Sequence, residues 1–329
     1  MESVGVIGAG AWGTALATVA QRAGRKVVIR AREADVVDAI NTRHANPDYL
    51  PDIALDPAIL ATDDFEAAAR ADIVLLVTPA QFARATVSSI QSHLAPGTPV
   101  VICAKGIEQT TGKLLSEAIA ETAPDITLAV LSGPTFADEV ARGLPTAVTL
   151  ACENLDLANA LVDALGTPAF RPYASHDVVG AQIGGAVKNV IAIACGIVDG
   201  RGLGQNARAA TIARGLAELA RFGAALKVDP RTLMGLSGLG DLTLTCTSVA
   251  SRNYAVGKAL GEGATTDEIM SGRRTVAEGV STAPAVLTRA EALGVELPIC
   301  AAIKTILHDN ADIDATIAAV LARPFRTEH

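Results

Sequence analysis

The sequence predicts an α/β chain with an all-helical second half: a doubly wound parallel sheet first, then helices. Three observations predict it. Up to about residue 174, short runs rich in Val and Ile alternate with amphipathic stretches, the pattern of a parallel sheet covered on both faces. From Ser175 onward strand-like runs nearly vanish, and apolar residues recur at three- and four-residue spacing. At 329 residues the chain is long for one domain, so two are expected, 1–174 and 175–329, meeting near "RPYASHD" (171–177).

Taken in order, the strand candidates are 4–8 ("VGVIG"), 26–30 ("KVVIR"), 72–78 ("DIVLLVT"), 99–104 ("PVVICA"), 126–131 ("ITLAVL") and 146–151 ("TAVTLA"). Helical spacing covers 11–23, 81–93, 112–123 and 155–165 between them. In the second half it covers 206–226 and stretches near 284–293 and 298–307. Half of the residues are hydrophobic but only 3% are aromatic, so the core is built from Ala, Val, Leu and Ile.

The formal net charge of −8 argues against nucleic acid as a partner, which needs a basic face, but leaves room for a local basic pocket for a small anion. Five widely spaced cysteines without a Cys-x-x-Cys, and five histidines without a His-x-x-x-His, suggest neither a disulfide framework nor a metal site; a reduced cytoplasm fits. The N-terminus "MESVGVIGAG" enters a strand directly and does not read as a signal peptide. The segment 178–198 is long enough to span a bilayer, yet it contains Gln182, Lys188 and Asn189. A lysine at the centre of a spanning helix costs about 2.5–3.5 kcal/mol, so the segment reads as a buried helix.

Gly8, Gly10 and Gly13 make G-x-G-x-x-G directly after a strand and at the opening of a helix. In that setting Gly8 permits the tight turn, Gly10 lets backbone approach a pyrophosphate, and Gly13 lets helix and strand pack closely. The helix N-terminus then favours the anion. The second strand ends in "IRARE" without an acid at its tip; Arg30 and Arg32 stand there, followed by Glu33. Arginine suits the 2′-phosphate of NADP(H), although a solvated charged loop has the same composition.

"AQIGGAVKNVIAIACG" (181–196) carries one charge, Lys188. On a helix Lys188 shares its face with Gly184, Gly185, Ile191 and Ala192. Glycines weaken a helix, and close approach by something flat, a nicotinamide or another backbone, is a reason for them. A desolvated lysine has a depressed pKa and can serve as proton donor or acceptor between alcohol and ketone. This helix alone equally allows a lysine that snorkels to the surface or pairs structurally. "AKGIE" places Lys105 just past a strand's C-terminal end. "LSGPTFADE" turns at Gly133-Pro134 and is capping-box-like, with Thr135 three residues before Asp138. "GLSGLGDLTLTCTS" holds Asp241 after a glycine-rich turn. Ser251-Arg252-Asn253 opens a further helix, the composition of a small phosphate site or of a plain Ser cap with an exposed Arg.

These stretches, with "GAGAWGTALA", "GGAVKNVIAIACGIVDG" and "SRNYAVG", resemble the bacterial NAD(P)-dependent glycerol-3-phosphate dehydrogenases, in order, from about Val4 to Arg323. The resemblance implies an N-terminal Rossmann-type domain and a C-terminal half like that of 6-phosphogluconate dehydrogenase. It implies interconversion of dihydroxyacetone phosphate and sn-glycerol 3-phosphate in the cytoplasm, with NADP(H) or NAD(H) and no metal, supplying phospholipid synthesis. Lys188 would be the proton donor or acceptor, and Lys105, Gly133, Thr135, Lys188, Asp241, Ser251, Arg252 and Asn253 would contact substrate. Gly8, Gly10, Ala11, Trp12, Gly13, Arg32, Lys105, Ala137, Arg252, Val276 and Glu278 would line the cofactor site. The family usually has Ser where this chain has Ala11, which puts one phosphate contact in doubt. β-Hydroxyacid dehydrogenases share the helix lysine, but carry an Asn four residues later, where this chain has Ala192. A non-catalytic NADPH sensor would leave the lysines without a task. Long apolar helices in the second half are compatible with a homodimer.

Overall fold

The computed structural model describes residues 1–271, 277–324 and 327. The first half runs β1 (Ser3–Ile7), α1 (Ala11–Arg22), β2 (Lys26–Arg30), α2 (Ala34–Arg43), β3 (Ala45–Asn46), β4 (Leu50–Ala54), β5 (Ile59–Thr62), α3 (Phe65–Ala69), β6 (Ile73–Leu76), α4 (Ala83–Ile90), β7 (Pro99–Ile102), α5 (Leu115–Thr122), β8 (Thr127–Ser132), α6 (Ala137–Arg142), β9 (Thr146–Ala151), α7 (Leu155–Leu165) and β10 (Phe170–Ser175). Then come α8 (Val178–Gly200), α9 (Gly204–Ala225), α10 (Pro230–Leu233), α11 (Asp241–Cys246), α12 (Arg252–Gly261), α13 (Thr266–Ser271), α14 (Glu278–Ala292), α15 (Pro298–His308) and α16 (Ile313–Leu321).

Eight strands form one Rossmann-type sheet in the order β10-β9-β8-β7-β6-β1-β2-β5. β1 lies between β2 and β6, so the chain winds outward in both directions from it. Ile7 pairs with Arg30 on one side and Leu76 on the other, which brings three strand ends level at this switch point. Two apolar clusters cover the sheet's faces, one around Ile29, Val101 and Leu150, the other around Ile7, Leu76 and Val130.

The sheet departs from the sequence expectation in two places. β9 runs antiparallel to β8, because the short helix α6 lies at the end where β8 exits and the chain turns straight back. The segment 171–177, near which the two halves were expected to meet, is largely β10, an edge strand that alternates buried Phe170 and Pro172 with exposed Arg171 and Tyr173. Proline is tolerated at an edge, where its missing N–H is not needed. The edge strand β5 and the β3–β4 hairpin also lay below the sequence signal. The stretch 81–93 breaks into α4 flanked by 3-10 turns, and 112–123 becomes helical only at Leu115, where Glu117 accepts from the Leu114 N–H at 2.9 Å. α14 begins earlier than expected, at Glu278, and contains Pro284.

α8 is the axis of the helical half. It is the one described helix long and apolar enough to cross a membrane, and 94% of its most apolar window is buried inside the protein. Glycines let α12 cross it at backbone contact: a Cβ at Gly196 would overlap the Tyr254 carbonyl, and one at Gly257 the Ile193 carbonyl. Gly196→Ala is therefore expected to push α12 away and destabilise the fold by about 1–3 kcal/mol. Urea denaturation checks this; an unchanged midpoint would contradict the crossing.

Candidate active site

Two clusters meet at the carboxyl ends of the strands. The first is the glycine loop after β1. Gly8 has φ +117°, a conformation that L side chains rarely adopt, and a Cβ at Gly13 would overlap the Gly8 carbonyl. Gly10 is the N-cap of α1, with no side-chain cap and no acid in the first turn. α7 and α8, in contrast, are capped by Asn154 and Asp177. The first-turn N–H groups of α1, at Ala11, Trp12 and Gly13, are thus left for an anion. A Cβ at Gly10 would meet nothing within 4 Å, so there is room above the loop. These features fit the pyrophosphate of a dinucleotide. At the tip of β2 the two arginines part. Arg30 stacks on Phe65, 4.0 Å from the ring centroid, and donates to the Asp63 carbonyl at 3.2 Å. Only Arg32 faces solvent, its side chain 82% exposed and paired with Glu33 at 2.7 Å.

The second cluster lies beyond β7 and β8. Lys188, on α8, is 5% exposed and does not snorkel. Its Nζ donates to Asp241 Oδ1 at 2.5 Å and Thr245 Oγ1 at 2.8 Å. Lys105 Nζ donates to the other carboxylate oxygen of Asp241 at 2.8 Å, to the Gly133 carbonyl at 2.8 Å and to Thr135 Oγ1 at 3.3 Å. Asp241 is wholly buried, on the first turn of α11 after a π-type turn at Leu236–Gly240. One carboxylate therefore holds two lysines, and the triad carries a net positive charge. Burial lowers the Lys188 pKa to about 8; Asp241 opposes the shift and the Lys105 charge adds to it. The glycines on the Lys188 face serve close packing. Gly184 lies against the backbone of Ser237 and Gly238, and Gly185 against Ser132 and the Lys105 stem.

The remaining expected residues divide. Ser251 caps α12, accepting from the Tyr254 N–H at 3.2 Å, and Arg252 stands exposed on its first turn. Glu278, at the start of α14, accepts from the Ala80 N–H at 3.2 Å beside the Lys105–Gly106 loop. Burial raises its pKa, partly offset by the Ala80 N–H and then by the Arg252 charge. Ala137 opens α6, whose N-cap is Phe136 without a side-chain cap. This corrects the capping-box reading: the Thr135 hydroxyl instead donates to the Gly133 carbonyl at 3.2 Å. Asn253 is turned inward, donating to Asn189 Oδ1 and accepting from the Gly279 N–H, both at 2.9 Å, so its amide is committed to packing α12 on α8 and α14. Val276 lies outside the described residues. Sequence reasoning missed Thr245 and Asn189. The i, i+4 spacing from Asp241 is the signal that could have found Thr245. Among the described residues no group of three or more His, Cys, Asp or Glu side chains could hold a metal ion.

A nucleotide loop at the switch point, with a buried proton-carrying lysine beyond neighbouring strands, defines the class: an NAD(P)-dependent oxidoreductase. The family models for the NAD-dependent glycerol-3-phosphate dehydrogenase N-terminus and C-terminus match residues 3–158 and 177–318. The chain belongs to the NAD-dependent glycerol-3-phosphate dehydrogenase family. It is 56% identical to glycerol-3-phosphate dehydrogenase [NAD(P)+] of Parvibaculum lavamentivorans, over 99% of this chain and 98% of the relative. It is 54% identical to that of Caulobacter vibrioides, over 99% of each. The crystal structure of glycerol-3-phosphate dehydrogenase from Coxiella burnetii superimposes with a TM-score of 0.93 at 36% identity, covering 98% of this chain and 99% of the other.

Proposed function

We propose that the chain interconverts dihydroxyacetone phosphate and sn-glycerol 3-phosphate, with Lys188 as the acid/base at the substrate oxygen. The observation that carries this reading is the buried Lys188–Asp241–Lys105 triad at the strand ends that also bear the nucleotide loop. NAD(P)H, when bound, supplies the hydride for the ketone carbon. Gly8, Gly10, Ala11, Trp12 and Gly13 would hold its pyrophosphate end, Arg32 its ribose, and Lys105, Ala137, Arg252 and Glu278 the rest. Lys188 gives its proton to the oxygen as the alcohol forms, and takes one back in the reverse direction. Asp241 holds both lysines in place, so the donor is oriented before substrate arrives. Lys105, Gly133 and Thr135 form the side of the pocket toward β7 and β8. The N-terminus of α12, with Ser251 and Arg252, binds the phosphate, and Asn253 supports it by fixing α12. Binding energy at the phosphate then helps to position the distant carbonyl.

In this reading the product feeds glycerophospholipid synthesis in the cytoplasm; five free, buried thiols support that compartment. The apolar helix α16, with Leu321 78% exposed, supports a homodimer, which light scattering tests.

The reaction is tested by loss of nicotinamide absorbance with dihydroxyacetone phosphate, and with unphosphorylated dihydroxyacetone as control. Oxidation with the phosphate ester alone is expected, faster with NADPH than NADH. Turnover with NADH only would discard the Arg32 argument and keep the reaction. Cofactor binding without turnover of either would overturn the reading.

The reaction should also depend on pH in opposite senses by direction. Ketone reduction needs protonated Lys188, so its kcat/KM falls as pH rises through about 8. Alcohol oxidation needs the free amine, so its kcat/KM rises through the same range. Rate profiles in both directions check this; limbs of the same sign would contradict it.

A further inference from the structure

The nucleotide loop is braced from behind by a residue outside every motif above. The β3–β4 hairpin turns through Asn46-Pro47-Asp48-Tyr49, with the Tyr49 N–H donating to the Asn46 carbonyl at 3.2 Å. Proline in the second position presets such a turn. The Asn46 side chain is completely buried and reaches back to the loop. Its Nδ2 donates to the Ala9 carbonyl and to Thr14 Oγ1, both at 2.8 Å. One carboxamide thus ties the peptide between the first two motif glycines to the first turns of α1.

The direction of that tie matters. The Ala9 carbonyl and the Gly10 N–H belong to one peptide unit, and no cis peptide bond occurs among the described residues. In a trans peptide the two groups point opposite ways. Holding the carbonyl inward on Asn46 therefore turns the Gly10 N–H outward, toward the open space above the loop. Position 11 is Ala, without a hydroxyl, so backbone N–H groups carry the anion contact here.

The geometry points to Asn46 as the positioning residue of the nucleotide loop: it holds the Ala9 carbonyl inward, aims the Gly10 N–H at the pyrophosphate of NAD(P)H, and couples cofactor affinity to the β3–β4 hairpin. This rests on NAD(P)H binding at the loop, but not on the identity of the second substrate. The test is titration of full-length Asn46→Ala with NADPH, followed by nicotinamide fluorescence without substrate. Alongside run thermal melts, and kcat and the KM for dihydroxyacetone phosphate at saturating NADPH. The Kd is expected to rise at least about tenfold, the size of one buried hydrogen bond lost, while kcat and that KM hold. An unchanged Kd, or a Kd, kcat and KM that all worsen together with the melting temperature, would overturn the assignment. The partner hydroxyl gives a second test, which also decides the matter should Asn46→Ala not fold. Thr14→Val should weaken NADPH binding and Thr14→Ser should restore it; equal affinities in the two would overturn the assignment. Because nucleotide binding is read without substrate, failure of the proposed reaction cannot imitate either result.

Discussion

Lys188→Ala is expected to lower kcat by about 10²–10⁴-fold, the range typical of a lost general acid or base, while the Kd for NAD(P)H stays nearly unchanged. The contacts of Lys188 explain the split. Its ammonium touches Asp241 and Thr245, and neither belongs to the glycine loop. Removing it also leaves Asp241 neutralised by Lys105, so no unpaired charge is buried and the fold should survive. Stopped-flow reduction and equilibrium titration measure the two quantities separately. Equal losses in rate and cofactor affinity would remove Lys188 from the chemistry and make it a structural cation.

Asp241→Asn is expected to have the larger effect on stability. Asp241 is wholly buried and is the shared anion of two lysines, so its loss leaves Lys105 and Lys188 facing each other without compensation. Breaking a buried ion pair from one side costs about 3–5 kcal/mol. The same substitution acts on the chemistry. The Asp241 charge is what opposes desolvation at Lys188, so without it the Lys188 pKa falls further below its present value of about 8. The limb of ketone reduction then moves to lower pH, and at neutral pH less of the lysine is protonated. Denaturant unfolding and a pH–rate profile check both parts. A limb that stays in place would mean that Asp241 holds geometry alone.

How much of this was legible in the residues depends on the range of the interactions. The glycine loop was readable because each glycine answers a local demand: a positive φ at Gly8, room at Gly10, helix contact at Gly13. Lys188 stood out because a lone charge in an apolar helix needs a partner. The partner, 53 residues away, could be suspected but not paired from spacing, nor could the sharing of Asp241 with Lys105. Thr135 shows where local spacing misleads. It had the spacing of a cap, but its hydroxyl donates to the nearby Gly133 carbonyl and accepts from Lys105; the bonds of Asn253 to Asn189 and Gly279 span 64 and 26 residues and left no mark in the local sequence. β10 was absent from the strand candidates because Arg171 and Pro172 interrupt its apolar pattern, which an edge strand permits. The direction of β9 leaves no trace in its composition, since an antiparallel strand inside a sheet covered on both faces carries the same continuous buried run as its parallel neighbours. Asn46 gave no signal because its hydrogen bonds span 37 and 32 residues.

The central claim is that the group titrating near pH 8 is Lys188 and that its proton goes to the substrate oxygen. The most direct measurement is the pH dependence of kcat/KM for reduction of dihydroxyacetone phosphate, from pH 6 to 10, in the parent enzyme and in Lys188→Ala. A falling limb near pH 8 in the parent, and a slow rate without that limb in the variant, is the predicted result. The same limb persisting in Lys188→Ala would show that another group carries the proton.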